Sequence, residues 1–197
     1  VSCPLERAAA YHPSSSSLEL EGQRRKQWKK QPMISVVVPA YKTPEKFLRE
    51  MIESLEVQTY TNWELCIANA SPEDAAMSEV LREYTSKDAR VENLKENLGI
   101  AENTNAAMEM AAGEYTGLLD HDDLLAPQAL YRIVEALNQS SEEPDVFYSD
   151  EDKVTTDLSE HFQPHFKPDF NVDLLRSNNY ITHFFVVRTS LIRQVGG

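Results

Sequence analysis

Positive charge is what this chain has least of. Its 197 residues carry 19 Lys and Arg against 32 Asp and Glu, a formal net charge of −13. General nucleic-acid binding needs a basic face to displace counterions from phosphate, so that class is excluded. A nucleotide is still admissible if a bound cation supplies the missing charge. Cysteine is scarce as well. Cys66 lies inside the apolar run "ELCIA" and Cys3 in a polar leader, which makes neither a disulfide framework nor a zinc site. A reducing, cytoplasmic setting is expected. No apolar run approaches the ~20 residues that span a bilayer. The first residues show no basic start followed by an apolar block, so they are not a signal peptide.

What is present is the profile of a soluble globular domain, 41% hydrophobic, 26% charged and 9% aromatic. Residues 1–32 are polar and Ser-rich and end in "RRKQWKK". They read as a tail or linker, with a short helix near 18–29. The basic run makes peripheral contact with an anionic membrane surface admissible, against the plainer reading of a solvated linker. From Met33 the pattern is regular. "ISVVV" (34–38) is a β-branched apolar run, as a strand covered on both faces should be, and Pro39 is expected to end it. Thr43 as cap and Pro44 in the first turn open a helix with Phe47, Leu48, Met51, Ile52 and Leu55 in one stripe. "ELCIA" (64–68) predicts a second strand, and Ser71 to Asp74 opens a second helix. "VENL" is a weak third strand, and 97–113 a loop running into an Ala-rich helix stopped by Gly113. "YTGLL" predicts a fourth strand, 127–137 a helix and "DVFYSD" another strand. A Pro-containing loop is expected through the 160s, then a short helix near 171–177 and a last strand, "ITHFFVVR".

This alternation implies an α/β fold with a mostly parallel sheet flanked by helices, in which ligands bind outside the carboxyl ends of the strands. Pro39-Ala40-Tyr41, Asn69-Ala70-Ser71 and Asp120-His121-Asp122 all follow strand ends and should gather at one edge. Asp120 and Asp122 alternate across His121 and project together from extended backbone. Two convergent carboxylates suit Mg²⁺ or Mn²⁺, which complete their shells with water and phosphate oxygens. In so acidic a chain an isolated Asp-x-Asp is weak, and Asp122 or Asp123 capping the next helix is the competing account.

The ordered set of motifs is more specific. "ISVVVPAYKTPEKFLREMIESLEVQTYTNWELCIANAS", then "NLGIAENTNAAMEMAAGEYTGLLDHDDLLAPQAL", resembles family 2 glycosyltransferases of the GT-A fold over residues 33–197. "YSDEDKV", "FKPDFNVDLLRSNNYITHFFVVR" and the terminal "VGG" resemble the bacterial subgroup that builds rhamnose-containing and other surface polysaccharides. The resemblance implies a nucleotide-sugar donor, a divalent metal (Mn²⁺ or Mg²⁺) and a glycan or lipid-linked glycan acceptor, at a cytoplasmic site that includes the inner membrane face. It places Pro39, Ala40 and Tyr41 on the nucleotide, Asn69 at the base, Asp120 with His121 on the donor side, and Asp122 on the metal bridging to the diphosphate. Asn69 departs from the family's usual Asp. Thr104 stands where a basic residue often precedes the position of Asn105. Asn103 and Asn105 either approach the nucleotide or satisfy loop backbone.

Asp150 and Asp152, with Glu151 and Lys153, form either a solvated charge cluster or part of the acceptor side. His183 also lies near the acceptor side, where a packed structural histidine is the rival account. His161 and His165 are separated by Pro164 and do not form a helical zinc pair. A phosphatase of the haloacid dehalogenase type also uses Asp-x-Asp after a strand, but near its start. A non-catalytic, nucleotide-sugar-binding piece of a larger polymerase is the second alternative. The family's general base lies in a motif beyond the Gly-Gly region, hence beyond Gly197, and the domain is expected to lack the family's C-terminal part. The donor site is therefore expected without complete catalytic machinery. Robust sugar transfer by residues 1–197 alone, measured with a panel of nucleotide sugars, would overturn that expectation.

Overall fold

The computed structural model describes residues 15–85 and 89–197. Cys3 and the first part of the expected tail lie outside the described residues. The elements are α1 (Ser15–Arg25), β1 (Ile34–Ala40), α2 (Glu45–Glu56), β2 (Trp63–Asn69), α3 (Ala75–Tyr84), β3 (Ala89–Asn93), α4 (Ile100–Glu109), β4 (Tyr115–Leu118), α5 (Ala129–Gln139), β5 (Val146–Tyr148), β6 (Glu151–Val154), β7 (His161–His165), α6 (Val172–Ser177), β8 (Phe185–Arg188) and α7 (Thr189–Val195). One sheet runs in the order β3-β2-β1-β4-β8-β5, and β6 and β7 form a separate two-stranded sheet. β1 pairs in parallel with β2 and β4, whereas β8 is antiparallel to both β4 and β5.

β1 is the centre of this arrangement. Ile34, Val36, Val37, Val38 and Ala40 are all fully buried. Ile34, Val36, Val38 and Ala40 face one layer with Leu48, Met51 and Leu55 of α2 and Leu130 and Val134 of α5. Val37 faces the other, with Cys66, Ala68 and Ala107 of α4. A strand covered on both faces has no polar alternation, which is why "ISVVV" reads as it does.

The expected stop at Pro39 is not where β1 ends. The strand continues to Ala40, with Pro39 opposite Ala68. Met33 and Val37 direct their carbonyls toward β4, accepting from Glu114 and Leu119. Pro39 shares that orientation but lies past the last β1–β4 pair, Val37 with Leu118, so its missing N–H costs no ladder bond. At α2 the cap position is Pro44, without a side-chain bond, and the Thr43 hydroxyl is buried with no hydrogen-bond partner among the described residues. α3 is capped as its sequence suggests, by Asp74 accepting from the Met77 amide at 3.1 Å.

Two further corrections concern the C-terminal half. The expected loop through the 160s contains β7, paired antiparallel with β6. All five β7 residues are exposed, so no apolar alternation marks the strand, and Pro164 is tolerated on such an edge. The final strand is shorter than 181–188, and α7 follows it directly. The described part of the tail is not a free linker. Trp28 packs against Tyr131 with ring centroids 4.7 Å apart, and Arg24 and Lys30 pair with Glu135 and Glu143. Any membrane contact through the basic run is left to its exposed Lys26 and Lys29.

Gly117 of β4 sets the approach of the last strand. A Cβ there would stand 2.4 Å from Cζ of Phe184, whose ring is buried. Gly117→Ala should therefore destabilise by about 1–3 kcal/mol through overpacking. A denaturant midpoint unchanged from wild type would show that the ring is free to move aside.

Candidate functional site

The carboxyl ends of β1 and β4 open into a cavity of about 210 Å³ lined by Pro39, Tyr41, Asn97, Gly99, Ile100, Asn103, Asp120, His121 and Asp122. Gly99, at φ 91°, turns the chain into α4, so the first turn of that ten-residue helix forms part of the wall. Helix N-termini carry unsatisfied amide N–H groups and partial positive charge, a fit for anions. Asn103 is buried here. Its Oδ1 accepts from the Leu98 amide and its Nδ2 donates to Asn97 Oδ1 at 2.8 Å, so it both shapes the loop and lines the cavity.

Other expected donor residues stand elsewhere. Ala40 is wholly buried in the core. Asn69 is 0% exposed, donates to Asn93 Oδ1 at 2.9 Å and accepts from the Ser71 amide at 3.0 Å, so both ends of its amide are engaged by the protein. Asn105 lies midway along α4, against Gly197. The Thr104 hydroxyl donates back to the Ile100 carbonyl rather than into the cavity. His121 lines the cavity with a buried Nδ1, 3.8 Å from Asp122 Oδ1.

The acids of "DHDD" are not equivalent. Asp120, Asp123 and His183 each present one ligating atom within 4.8 Å of the others. His183 Nε2 is 3.7 Å from Asp120 Oδ2, and its Nδ1 is 3.7 Å from Asp123 Oδ2. Asp122 stands at the boundary between the cavity and a second, larger groove. Asp123 caps nothing, against the competing account in which it or Asp122 caps the next helix. The following helix begins after Gln128 without a side-chain cap. Its amide instead closes a turn onto the Asp120 carbonyl, which folds its carboxylate back toward Asp120. Burial pushes the Asp123 carboxyl up from its ordinary value. Asp120, Asp122 and Glu151 add to that, and only His183 opposes it.

The groove, of about 1510 Å³, runs from Asp122, Asp123 and His183 between α2, α5 and the β6–β7 hairpin. Asp150 and Asp152 line it together with His183. Asp150 accepts from the Lys167 amide at 2.8 Å, and Asp152 lies 3.2 Å from His161 Nδ1. His165 pairs with Glu151 at 2.9 Å. Burial alone would raise the Glu151 carboxyl, but His165, the His183 amide and Lys167 outweigh it and hold it below the usual range. Sequence reasoning missed Asp123 and Lys167 as site builders, and took Glu151 only as part of a charge cluster or the acceptor side. The one signal for Lys167 was a cation set between Phe166 and Pro168.

Residues 35–196 match the model of glycosyl transferase family 2. The chain belongs to that family. Its fold is that of GT-A glycosyltransferases, and the phosphatase alternative falls away. The chain is 43% identical over 167 residues to the uncharacterized protein y4gI of Sinorhizobium fredii, covering 84% of this chain and 18% of that one. It is 34% identical over 171 residues to the O-antigen biosynthesis protein RfbC of Myxococcus xanthus, covering 85% and 13%. The chain thus spans under a fifth of the length of these two relatives. Among solved structures it resembles the mannosyltransferase PcManGT from Pyrobaculum calidifontis in complex with GDP-Man and Mn²⁺. That match has a TM-score of 0.59 and 16% identity, covering 98% of this chain and 57% of that one.

The raised Asp123 carboxyl gives a pH prediction. A carboxyl whose pKa is higher folded than unfolded binds more protons in the native state. Stability contributed there is therefore lost as pH rises from the unfolded pKa through the folded one. Asp123→Asn should raise the metal-free melting temperature at pH 7, with the advantage fading below about pH 4. Equal melting curves at both pH values would show that Asp123 carries no such penalty.

Proposed function

We propose that this chain forms the donor-binding part of a glycosyltransferase. It would move a sugar from a nucleoside diphosphate sugar to a glycan or lipid-linked glycan acceptor in bacterial surface-polysaccharide synthesis, with metal assistance and inversion at the anomeric carbon. The observation that carries this reading is the convergence of Asp123 and His183 on Asp120, which is itself part of the wall of a cavity that the start of α4 also lines. Two carboxylates and an imidazole make a mixed oxygen and nitrogen set, better suited to Mn²⁺ than to Mg²⁺. A divalent ion held there would offset charge developing on the leaving diphosphate.

The chain's own groups divide the remaining work. Pro39 and Tyr41 flank the nucleoside, Asn97 and Asn103 fix the loop beside it, and the first turn of α4 receives phosphate oxygens. Asp120 serves both ion and donor sugar. Asp122, the bridging ligand expected from the motif, stands as the alternative to Asp123 in the metal set. Asp150, Asp152 and His183 bound the acceptor groove. Asp150 and Asp152 already hold Lys167 and His161, so neither is assigned as general base. The reading carries a cytoplasmic site of action, in keeping with the reduced, buried thiol of Cys66, whose pKa burial pushes up to about 12.

A thermal-shift panel of UDP, GDP and dTDP with and without Mn²⁺ tests this. At about a hundred times Kd a ligand stabilises by about 2.7 kcal/mol. For a domain of this size that is a rise of about 5–11 °C. The rise should need nucleotide and Mn²⁺ together and be lost in Asp120→Ala. Loss in Asp123→Ala but not Asp122→Ala assigns the second ligand to Asp123, and the reverse assigns it to Asp122. No nucleotide producing a shift would overturn the reading. Mn²⁺-dependent binding by a full-length parent that transfers no sugar would favour a non-catalytic binding module.

A further inference from the structure

His183 lies on neither a helix nor a strand, yet its ring is placed between two carboxylates. Something must fix the backbone that carries it. That segment, 181–183, is gripped by one side chain. Lys167 Nζ donates to the carbonyls of Ile181 at 3.1 Å, Thr182 at 3.0 Å and His183 at 2.7 Å, with Glu151 Oε2 at 3.3 Å. The same Glu151 oxygen accepts from the His183 amide at 2.9 Å. Lys167 is 1% exposed at its side chain, so the ammonium has no access to solvent, and these four acceptors are its hydration.

The grip is itself anchored. The Lys167 amide donates to Asp150 Oδ1, and the Tyr148 hydroxyl donates to the Pro168 carbonyl at 2.7 Å. The Asn171 amide donates to the Tyr180 hydroxyl at 2.9 Å, and the Tyr148 and Tyr180 rings meet edge to face at 5.9 Å. Residues 166–171 and 180–183 are therefore tied to each other and to the end of β5.

We infer that Lys167 and Glu151 are positioning residues, a buried clamp that holds His183 toward Asp120 and Asp123. Neither lies in the ligand set, and both act through the backbone of residue 183. The functional consequence rests on the metal reading above: a His183 released from the clamp adds an unpaid ordering cost to ion binding. A buried cation bonded to three successive carbonyls fixes chain direction more tightly than packing alone. Its partner Glu151 closes the arrangement by accepting from the His183 N–H.

The test uses the full 197-residue chain, wild type, Lys167→Met and Glu151→Ala. Methionine keeps the length of lysine and removes the donors, and Glu151 is exposed enough to truncate without a core cavity. Amide hydrogen exchange by NMR, without metal, reads the clamp directly. His183 exchange should accelerate at least tenfold in both variants, while the amides of β1 and β2 keep their wild-type rates. Titration with Mn²⁺ alone, followed by water-proton relaxation, should show affinity weakened about tenfold in both. Unchanged His183 exchange overturns the clamp. Faster exchange with undiminished Mn²⁺ affinity overturns its link to the ion. Wild-type protein that binds no Mn²⁺ overturns the metal reading and that link with it, while the exchange data still decide the clamp. Acceleration spread equally over β1 and β2 marks a general loss of stability and overturns the specific role.

Discussion

β1 is hydrogen-bonded along both edges and covered on both faces, and this constraint decides where chemistry can occur. Apart from Ser35 its side chains are apolar, and every residue of the strand except Pro39 is buried. Its amino end is closed by a compact polar network. Glu64 accepts from the Ser35 hydroxyl and the Ala112 amide, each at 2.6 Å, and pairs with Arg90 at 3.0 Å. Only the carboxyl end remains open. There β1 and its parallel neighbours release the chain into loops, and their polar residues collect. The cavity walled by Pro39, Tyr41, Asp120 and the start of α4 is the consequence of a strand left open at one end only.

The second determinant is the direction of β8. Because β8 is antiparallel to β4, residues beyond the end of β4 face residues before the start of β8. Leu118 pairs with Phe185. Extending that register two steps out of β4 and two steps back from β8 brings Asp120 opposite His183, which is where the 3.7 Å contact is found. A parallel last strand would have sent residue 183 to the opposite edge. The site thus joins a parallel half that forms the cavity to an antiparallel strand that delivers the imidazole. The Phe184 ring over Gly117 fixes how closely the two approach.

These two determinants differ in how far the sequence discloses them. The parallel half was legible because burial leaves a signature. Short, largely apolar runs marked β1 and β2, and helical stripes marked α2 and α5. Pro39 misled at the level of one residue, since its lack of a donor matters only where a neighbour would accept. β7 had no signature, because a fully exposed hairpin strand buries nothing. The Asp120–His183 contact was illegible for another reason. It follows from strand direction, which periodicity does not encode. Asp123 was misjudged because a cap and a turned-back carboxylate look alike in sequence. Lys167 was passed over because a lysine is ordinarily solvated, and only tertiary structure shows one taking backbone carbonyls as its hydration.

The acids that interrupt the apolar runs around residue 120 can now be weighed as charges. Asp120, Asp122, Asp123 and Glu151 lie close enough for their fields to act on one carboxyl, and burial adds to the effect at Asp123. The opposing positive groups are the Lys167 ammonium, which is spent on Glu151 and three carbonyls, and His183, which carries charge only when protonated. Such a cluster does not favour the folded state by itself. It persists because the surrounding structure over-determines it: β4 and β8 fix two corners, a turn fixes the third, and a buried lysine fixes the backbone between. A fold that tolerates concentrated like charge at its one open edge has its electrostatic deficit where a cation with an anionic ligand would remove it. Concentrated negative charge and an adjoining helix N-terminus make opposite demands, and a metal-bound diphosphate is the class of ligand that satisfies both.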